Sequence, residues 1–180
     1  MSTTRFLFSG FGGQGILFAG KLLAYKGLME DKQVSWLPSY GPEMRGGTAS
    51  CSVIVSDEPV GSPIVSTPDV LVAMNLPSLD RFESAVVPGG IIFADSTLIE
   101  RKVARGDVTA HYVPATRLAS ENGMPTLANI ILMGKILKTL DMFNEESISA
   151  ALGKVISARH ADMLDVNRKA LQIGADYPEE

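Results

Sequence analysis

The ten residues Phe6–Gly15, FLFSGFGGQG, constrain this chain more than any other stretch. A short apolar run passes directly into four glycines, and the sequence from Ile16 to Glu30 is almost free of polar interruption. A strand, a turn of phosphate size and a buried helix account for that order. Gly10, Gly12 and Gly15 stand at the spacing G-x-G-x-x-G, where side chains would obstruct the turn, a ligand, or the contact between helix and strand. Gly13 adds further backbone access. With a helix starting near Gln14, its unpaired N–H groups and the positive end of its dipole point into the loop, where a phosphate or carboxylate can be held. The motif alone leaves two readings open. Gly10, Gly12, Gly13, Gln14 and Gly15 form either an anion site made of backbone or a turn that lets a buried helix pack closely on its strand.

Ordinary dinucleotide binding needs one more residue, an Asp or Glu about 20 positions past the loop to take a ribose hydroxyl. The second strand, from Gln33 to Pro38, ends in no such acid, and Glu30 and Asp31 precede it at the wrong end. The chain begins like a dinucleotide-binding fold and turns it to another use.

At 180 residues and 46% hydrophobic content, positions 1–180 fit one domain that buries about 70% of its unfolded surface. Sixteen basic residues against twenty acidic ones give a net charge of -4, no field for nucleic acid. No stretch reaches the eighteen apolar residues of a membrane span, and no signal peptide is evident, so a cytoplasmic protein is expected. The single cysteine, Cys51, excludes an internal disulfide and a self-contained iron–sulfur cluster. It lies in a β-branched run without a neighbouring cation and reads as buried and structural. His111 and His160 stand at no metal-ligand spacing; the first reads as a strand-edge residue and the second as an exposed residue of a helix's first turn.

A polar segment, Ser39–Gly47 (SYGPEMRGG), follows the second strand. Gly41-Pro42 and Gly46-Gly47 punctuate it, placing Glu43, Met44 and Arg45 on a turn or short loop. If the first two strands are parallel and adjacent, this loop and the glycine turn share one edge of the sheet, a binding position. A surface loop with a Glu43–Arg45 ion pair is the plainer alternative. Thr48–Ser56 reads as an antiparallel strand, because no crossover helix precedes it. Asp69–Asn75 and Gly90–Asp95 read as buried strands, with Asn75 and Asp95 at their ends as caps or site residues. A short strand at His111–Pro114, a helix at Thr116–Glu121, an apolar helix opened by Pro125-Thr126, and helices at Asn144–Leu152 and Ser157–Ala175 complete the chain. The whole predicts an α/β fold, a three-layer α/β/α Rossmann-like domain with a mostly parallel, mixed sheet. Asn129 is polar on a buried first turn and requires a hydrogen-bond partner. No nucleophile–base pair, paired carboxylates or metalloprotease-type helix is found by spacing.

GFGGQG followed by ILFAGKLLA, then SYGPEMRGGTASCSVIVSDEPVGSPIV, resembles the gamma subunit of 2-oxoacid:ferredoxin oxidoreductases, the third domain of single-chain pyruvate:ferredoxin oxidoreductase. PDVLVAMN, GGIIFADSTLI, the LANIILMG helix and the terminal NRKALQIGADY extend the likeness over essentially the full length. The resemblance implies a subunit of a complex that decarboxylates a 2-oxoacid to its acyl-CoA and passes electrons to ferredoxin. Its partners would be alpha and beta subunits, in some complexes a delta subunit, and a homodimer is expected of the isolated chain. Thiamine diphosphate and iron–sulfur clusters would be held by the other subunits, and the gamma piece would lie near the coenzyme A side of the active-site cleft. No cofactor would be held by this chain alone. The family's glycine loop falls on Gly10, Gly12, Gly13 and Gly15, with Lys21 in the matching helix; its second motif falls on Ser39, Tyr40, Gly41, Pro42, Glu43, Arg45, Gly46 and Gly47. Arg45 is the foremost candidate for an anionic contact, because a guanidinium forms two parallel hydrogen bonds, the alternative being a tie to a neighbouring subunit. SYGPEMRGG is closer to the 2-oxoglutarate and branched-chain types than to the pyruvate type. Beside this reading stand a free-standing nucleotide-dependent enzyme and a scaffold whose glycine loop binds nothing.

Overall fold

The computed structural model describes residues 2–39 and 48–178. Its strands are β1 (Thr3–Gly10), β2 (Gln33–Ser39), β3 (Ala49–Ser56), β4 (Val70–Ala73), β5 (Ile91–Asp95) and β6 (Thr109–Val113), joined in one sheet of order β2-β3-β1-β4-β5-β6. β1, β4, β5 and β6 run parallel, while β3 is antiparallel to both of its neighbours. The short connection from β2 to β3 permits only an antiparallel return. That return carries β3 into the gap between β1 and β2, so the two strands expected to be adjacent are parallel but separated by β3.

Alternation along β1 sorts its side chains to the two faces of the sheet. Phe6 and Phe8 join Cys51, Val53, Val70, Val72 and Phe93 in the larger core. Leu7 joins Leu71, Ala73, Ile92 and Ala94 in the smaller one. The larger core is closed by α1 (Ile16–Met29) and α4 (Ala128–Thr139), backed by α3 (Ala115–Glu121), α5 (Glu145–Val155) and α6 (Met163–Asp176). The smaller core is closed by α2 (Leu76–Phe82), a following 3-10 turn at Glu83–Ala85 and the segment before β6. The helical layers are unequal, and the second face has the thinner cover.

α2 passes at Phe82 into the 3-10 turn, where the Glu83 carboxylate turns inward to accept from Arg101 Nη2 at 2.7 Å and from the Ala104 backbone N–H. The expected helix from Ser157 divides into a 3-10 turn at Ala158–His160 and α6 proper. α4 and α6 cross with backbones in contact. A Cβ added to Gly134 would strike the Leu171 carbonyl, and one added to Gly174 would strike that of Ile131. Glycine is the residue type that admits so close a crossing. Among the described residues no helix is long and apolar enough to cross a membrane.

Candidate functional site: a glycine turn at the carboxyl edge of the sheet

β1 and β4 are parallel neighbours whose onward connections diverge. β1 leads through α1 to β2 on one side, and β4 through α2 to β5 on the other. Such a divergence opens a crevice beyond the carboxyl ends of the two strands. Here that edge carries the Gly10–Gly15 turn after β1 and Met74-Asn75 after β4.

Gln14 clamps the turn. Its Oε1 accepts from Phe11 N at 2.6 Å, and its Nε2 donates to Met74 O at 3.0 Å, tying the loop after β1 to the end of β4. From the other side Asn129 Nδ2, on the first turn of α4, donates to Gly15 O at 3.0 Å. Asn129 thereby finds a partner for its Nδ2, the expected hydrogen bond of that buried turn. Ser9 Oγ donates to Ala49 O at 3.1 Å and lies 2.9 Å from Ser78 Oγ, joining β1, β3 and α2 just before the glycine turn.

The glycines of the turn divide by physical role. A side chain on Gly10 would press on Gln14 Oε1 at 2.6 Å and Ile16 Cδ1 at 2.7 Å, so Gly10 serves close packing. Gly15 has φ 73° and would strike the Asn129 amide. Gly12 and Gly13 differ: an added Cβ would meet nothing within 4 Å at either position, and Gly13 has φ 90°. Packing accounts for Gly10 and Gly15; it gives no reason for Gly12. Space above that residue is open, within a cavity of about 310 Å³ rimmed by Phe11, Leu17 and Phe18. Gly15 is the N-cap of α1, no side chain caps it, and the first turn carries no acidic residue. The first N–H groups of a helix have no intrahelical acceptor, so this terminus favours an external anion.

Ser39 ends β2 and pairs with Ser50, beside the Gly10–Ala49 pair, so it reaches the same sheet edge as the glycine turn. Tyr40, Gly41, Pro42, Glu43, Arg45, Gly46 and Gly47 lie outside the described residues. Lys21 lies nearly two turns beyond the motif along α1, its Nζ 5.9 Å from the Tyr25 ring centroid. Asn75 caps α2, its Oδ1 accepting from Ser78 N at 2.8 Å. Asp95 is fully occupied by structure, accepting from Thr97 N at 3.1 Å, Thr116 N at 3.1 Å and Thr116 Oγ1 at 2.5 Å. Arg81, on α2, was not singled out in the sequence. It reaches toward the start of β3, Nη1 3.5 Å from Thr48 Oγ1, and among the described residues it forms no ion pair.

Cys51 is buried, with Sγ 3.5 Å from Ile16 O. Burial pushes its thiol up to about 12, against the opposing effect of contacts with Trp36 and the Gly20 backbone. A thiol so raised stays protonated and is a poor metal ligand. His111 stacks on Phe93 with ring centroids 5.0 Å apart, and His160 is exposed in its 3-10 turn before α6. Among the described residues no three His, Cys, Asp or Glu side chains are grouped to hold a metal ion.

Comparison with known proteins gives consistent matches. The family model for pyruvate ferredoxin/flavodoxin oxidoreductase matches residues 5–177. A ketoisovalerate oxidoreductase subunit VorA from Methanothermobacter thermautotrophicus is 44% identical over 98% of this chain, which spans 36% of that relative's length. A 2-oxoglutarate synthase subunit KorC from Methanocaldococcus jannaschii is 37% identical, covering 80% of this chain and 79% of the relative. Among solved structures, the gamma subunit of a keto/oxoacid ferredoxin oxidoreductase from Geobacter sulfurreducens matches with TM-score 0.81 and 28% identity over 95% of both chains. A 2-oxoglutarate:ferredoxin oxidoreductase from Magnetococcus marinus shares the fold, with TM-score 0.87 and 21% identity over 97% of this chain and 31% of that one. The chain belongs to the pyruvate ferredoxin/flavodoxin oxidoreductase family.

Proposed function

We propose that this chain is the gamma component of a cytoplasmic 2-oxoacid:ferredoxin oxidoreductase and that its glycine turn holds an anionic group of coenzyme A. The observation that carries this reading is the open, uncapped turn. Gly12 and Gly13 leave space over the start of α1, and the turn lies at the carboxyl ends of the parallel strands β1 and β4. A coenzyme phosphate matches that donor set. Coenzyme A supplies the thiol that accepts the acyl group, and the residues here bind and orient it.

An iron–sulfur cluster does not fit this chain's single cysteine. Its one thiol is buried and held protonated, unsuited to ligating an iron–sulfur cluster. We assign thiamine diphosphate and the clusters to partner alpha and beta subunits, together with the choice among 2-oxoacids such as 2-oxoglutarate and ketoisovalerate. Arg45 and the other residues of the SYGPEMRGG motif are proposed to contribute to the same anionic contact or to a neighbouring subunit.

The test is the assembled complex carrying Gly12→Val. A Cβ added at position 12 meets nothing within 4 Å, so the valine should be accommodated with the fold unaffected and the space over the turn filled. The KM for coenzyme A should rise about tenfold or more, with KM for the 2-oxoacid and the melting temperature unchanged. Unaltered coenzyme A kinetics, or failure of the chain to copurify with thiamine-binding and iron–sulfur subunits, would overturn the assignment.

A further inference from the structure

Leu7 belongs to the smaller core, and the strand register carries its face of the sheet outward to β3 and β2. Ser52 pairs with both Leu7 and Leu37, and Ser50 pairs with Ser39, so all of these side chains stand on the second face. The helical cover stops short of them. α2 packs on β1 and β4, and among the described residues neither β2 nor β3 contributes to the smaller core. In place of a helix, the connection from β3 to β4 supplies Ile64, Val65 and Ser66 to an open groove of about 380 Å³, which Arg81 and Phe82 at the end of α2 also line.

The groove has a definite chemistry. Leu37 and Ile64, 39% and 69% exposed, give it apolar surface that the chain itself leaves in water. Arg81 is the one charged residue among the described lining. Its guanidinium lies 5.1 Å from the Phe82 ring centroid, and its hydrogen bond to Thr48 Oγ1 is long at 3.5 Å. Stacking restrains the guanidinium, so its fork loses little freedom on taking a carboxylate. A cationic occupant would be repelled, and a wholly apolar one would cover the charge without pairing it. Apolar side chains beside an oriented arginine are the composition of a protein interface. The scale of the occupant agrees: in the VorA relative this module is 36% of a longer chain, whose remainder is tethered to it. The first face, closed by α1 and α4 and backed by three further helices, offers no comparable bare strands.

We propose that the second face over β2 and β3 is the docking surface for a partner subunit, which lays apolar side chains on Leu37 and Ile64 and presents an aspartate or glutamate to Arg81. The proposal rests on the reading of the chain as a gamma component and is independent of what the glycine turn binds.

The experiment measures the affinity of the purified thiamine-binding and iron–sulfur subunits for the chain, as wild type and as Arg81→Glu or Ile64→Asp. Both side chains are exposed, so the melting temperature of the isolated chain should be unchanged. Each variant should raise the Kd about tenfold or more, and Arg81→Gln should flatten the weakening of wild-type binding by salt. Leu28→Glu, exposed at 48% on α1, is the control and should bind as wild type. Wild-type affinity in Arg81→Glu and Ile64→Asp, or a loss no greater than in Leu28→Glu, overturns the surface alone. An isolated chain that dimerises and becomes monomeric in Ile64→Asp gives the face to a second copy and overturns it equally. Failure of the wild-type chain to bind those subunits at all overturns the proposed function, and this surface with it.

Discussion

Asn129 Nδ2 donates to Gly15 O at 3.0 Å, fixing the cap of α1 to a residue 114 positions later in the chain. The contact leaves no space for a side chain on Gly15, whose φ of 73° also disfavours any L-residue. Gly15→Ala should therefore destabilise the chain by about 2–4 kcal/mol. Gly12→Ala, into open space, should stay within about 0.5 kcal/mol. Urea denaturation of the two variants decides whether the glycines divide as described; equal losses would contradict it.

The crossing of α4 and α6 makes a sharper demand. Gly134→Ala and Gly174→Ala should each cost about 3 kcal/mol or more, because each methyl is driven against a backbone carbonyl of the facing helix. Alanine's better helix propensity, about 1 kcal/mol, is too small to offset this. Thermal melts that match wild type would show that the helices separate without penalty.

Lys26 is buried at 1% side-chain exposure with Nζ 2.6 Å from Glu30 Oε1, and Ser147 Oγ donates to the same carboxylate oxygen at 2.7 Å. Burial opposes the charge on Glu30, but the hydrogen bonds from Lys26 and Ser147 and the attraction of Lys26 outweigh it and hold the carboxyl below its usual range. Glu30→Gln strands the buried ammonium and should cost about 3 kcal/mol. Lys26→Met should cost less than about 1 kcal/mol, and adding it to Glu30→Gln should recover most of the loss. A double-mutant cycle by chemical denaturation measures all three.

Asp57 gives an acid-dependent term of known sign. Hydrogen bonds from Lys32 and from the Ser2 backbone hold its carboxyl down at about 2. A depressed folded-state value means the contribution is complete above the unfolded carboxylate pKa near 4 and is lost as pH falls toward 2. Lys32→Met should flatten the stability profile across that window, and added salt should weaken the wild-type effect because the pair is partly exposed. Stability measured from pH 5 to 2 in both proteins tests this; parallel profiles would exclude the pair as the cause.

The glycine turn, the strands and the mixed α/β architecture were legible because they are written in local patterns: apolar runs, β-branched alternation and glycine spacing. The position of β3 was not. Antiparallel return from β2 follows from a short connection, but insertion between β1 and β2 depends on pairs such as Phe6 with Val53, 47 residues apart, which no local pattern encodes. Asn129 could be recognised as needing a partner, and only the folded chain reveals that partner as Gly15. The separate roles of Gly10 and Gly12 were hidden for the same reason: one motif gives both the same letter, and their neighbours differ in three dimensions. Arg81 carries no sequence signal, since its place near Thr48 arises from the packing of α2 on the second face.

The insertion of β3 also bears on how the protein is made. β1 precedes both of its partner strands in the chain, so on synthesis one of its edges waits for residues 49–56 and the other for residues 70–73. Throughout that interval Phe6 and Phe8 belong to an unpaired segment, exposed to other nascent chains. Residues that hasten the β2–β3 hairpin thus shorten the period in which the future centre of the sheet is open to aggregation, and their effect would be seen in soluble yield before it is seen in equilibrium stability.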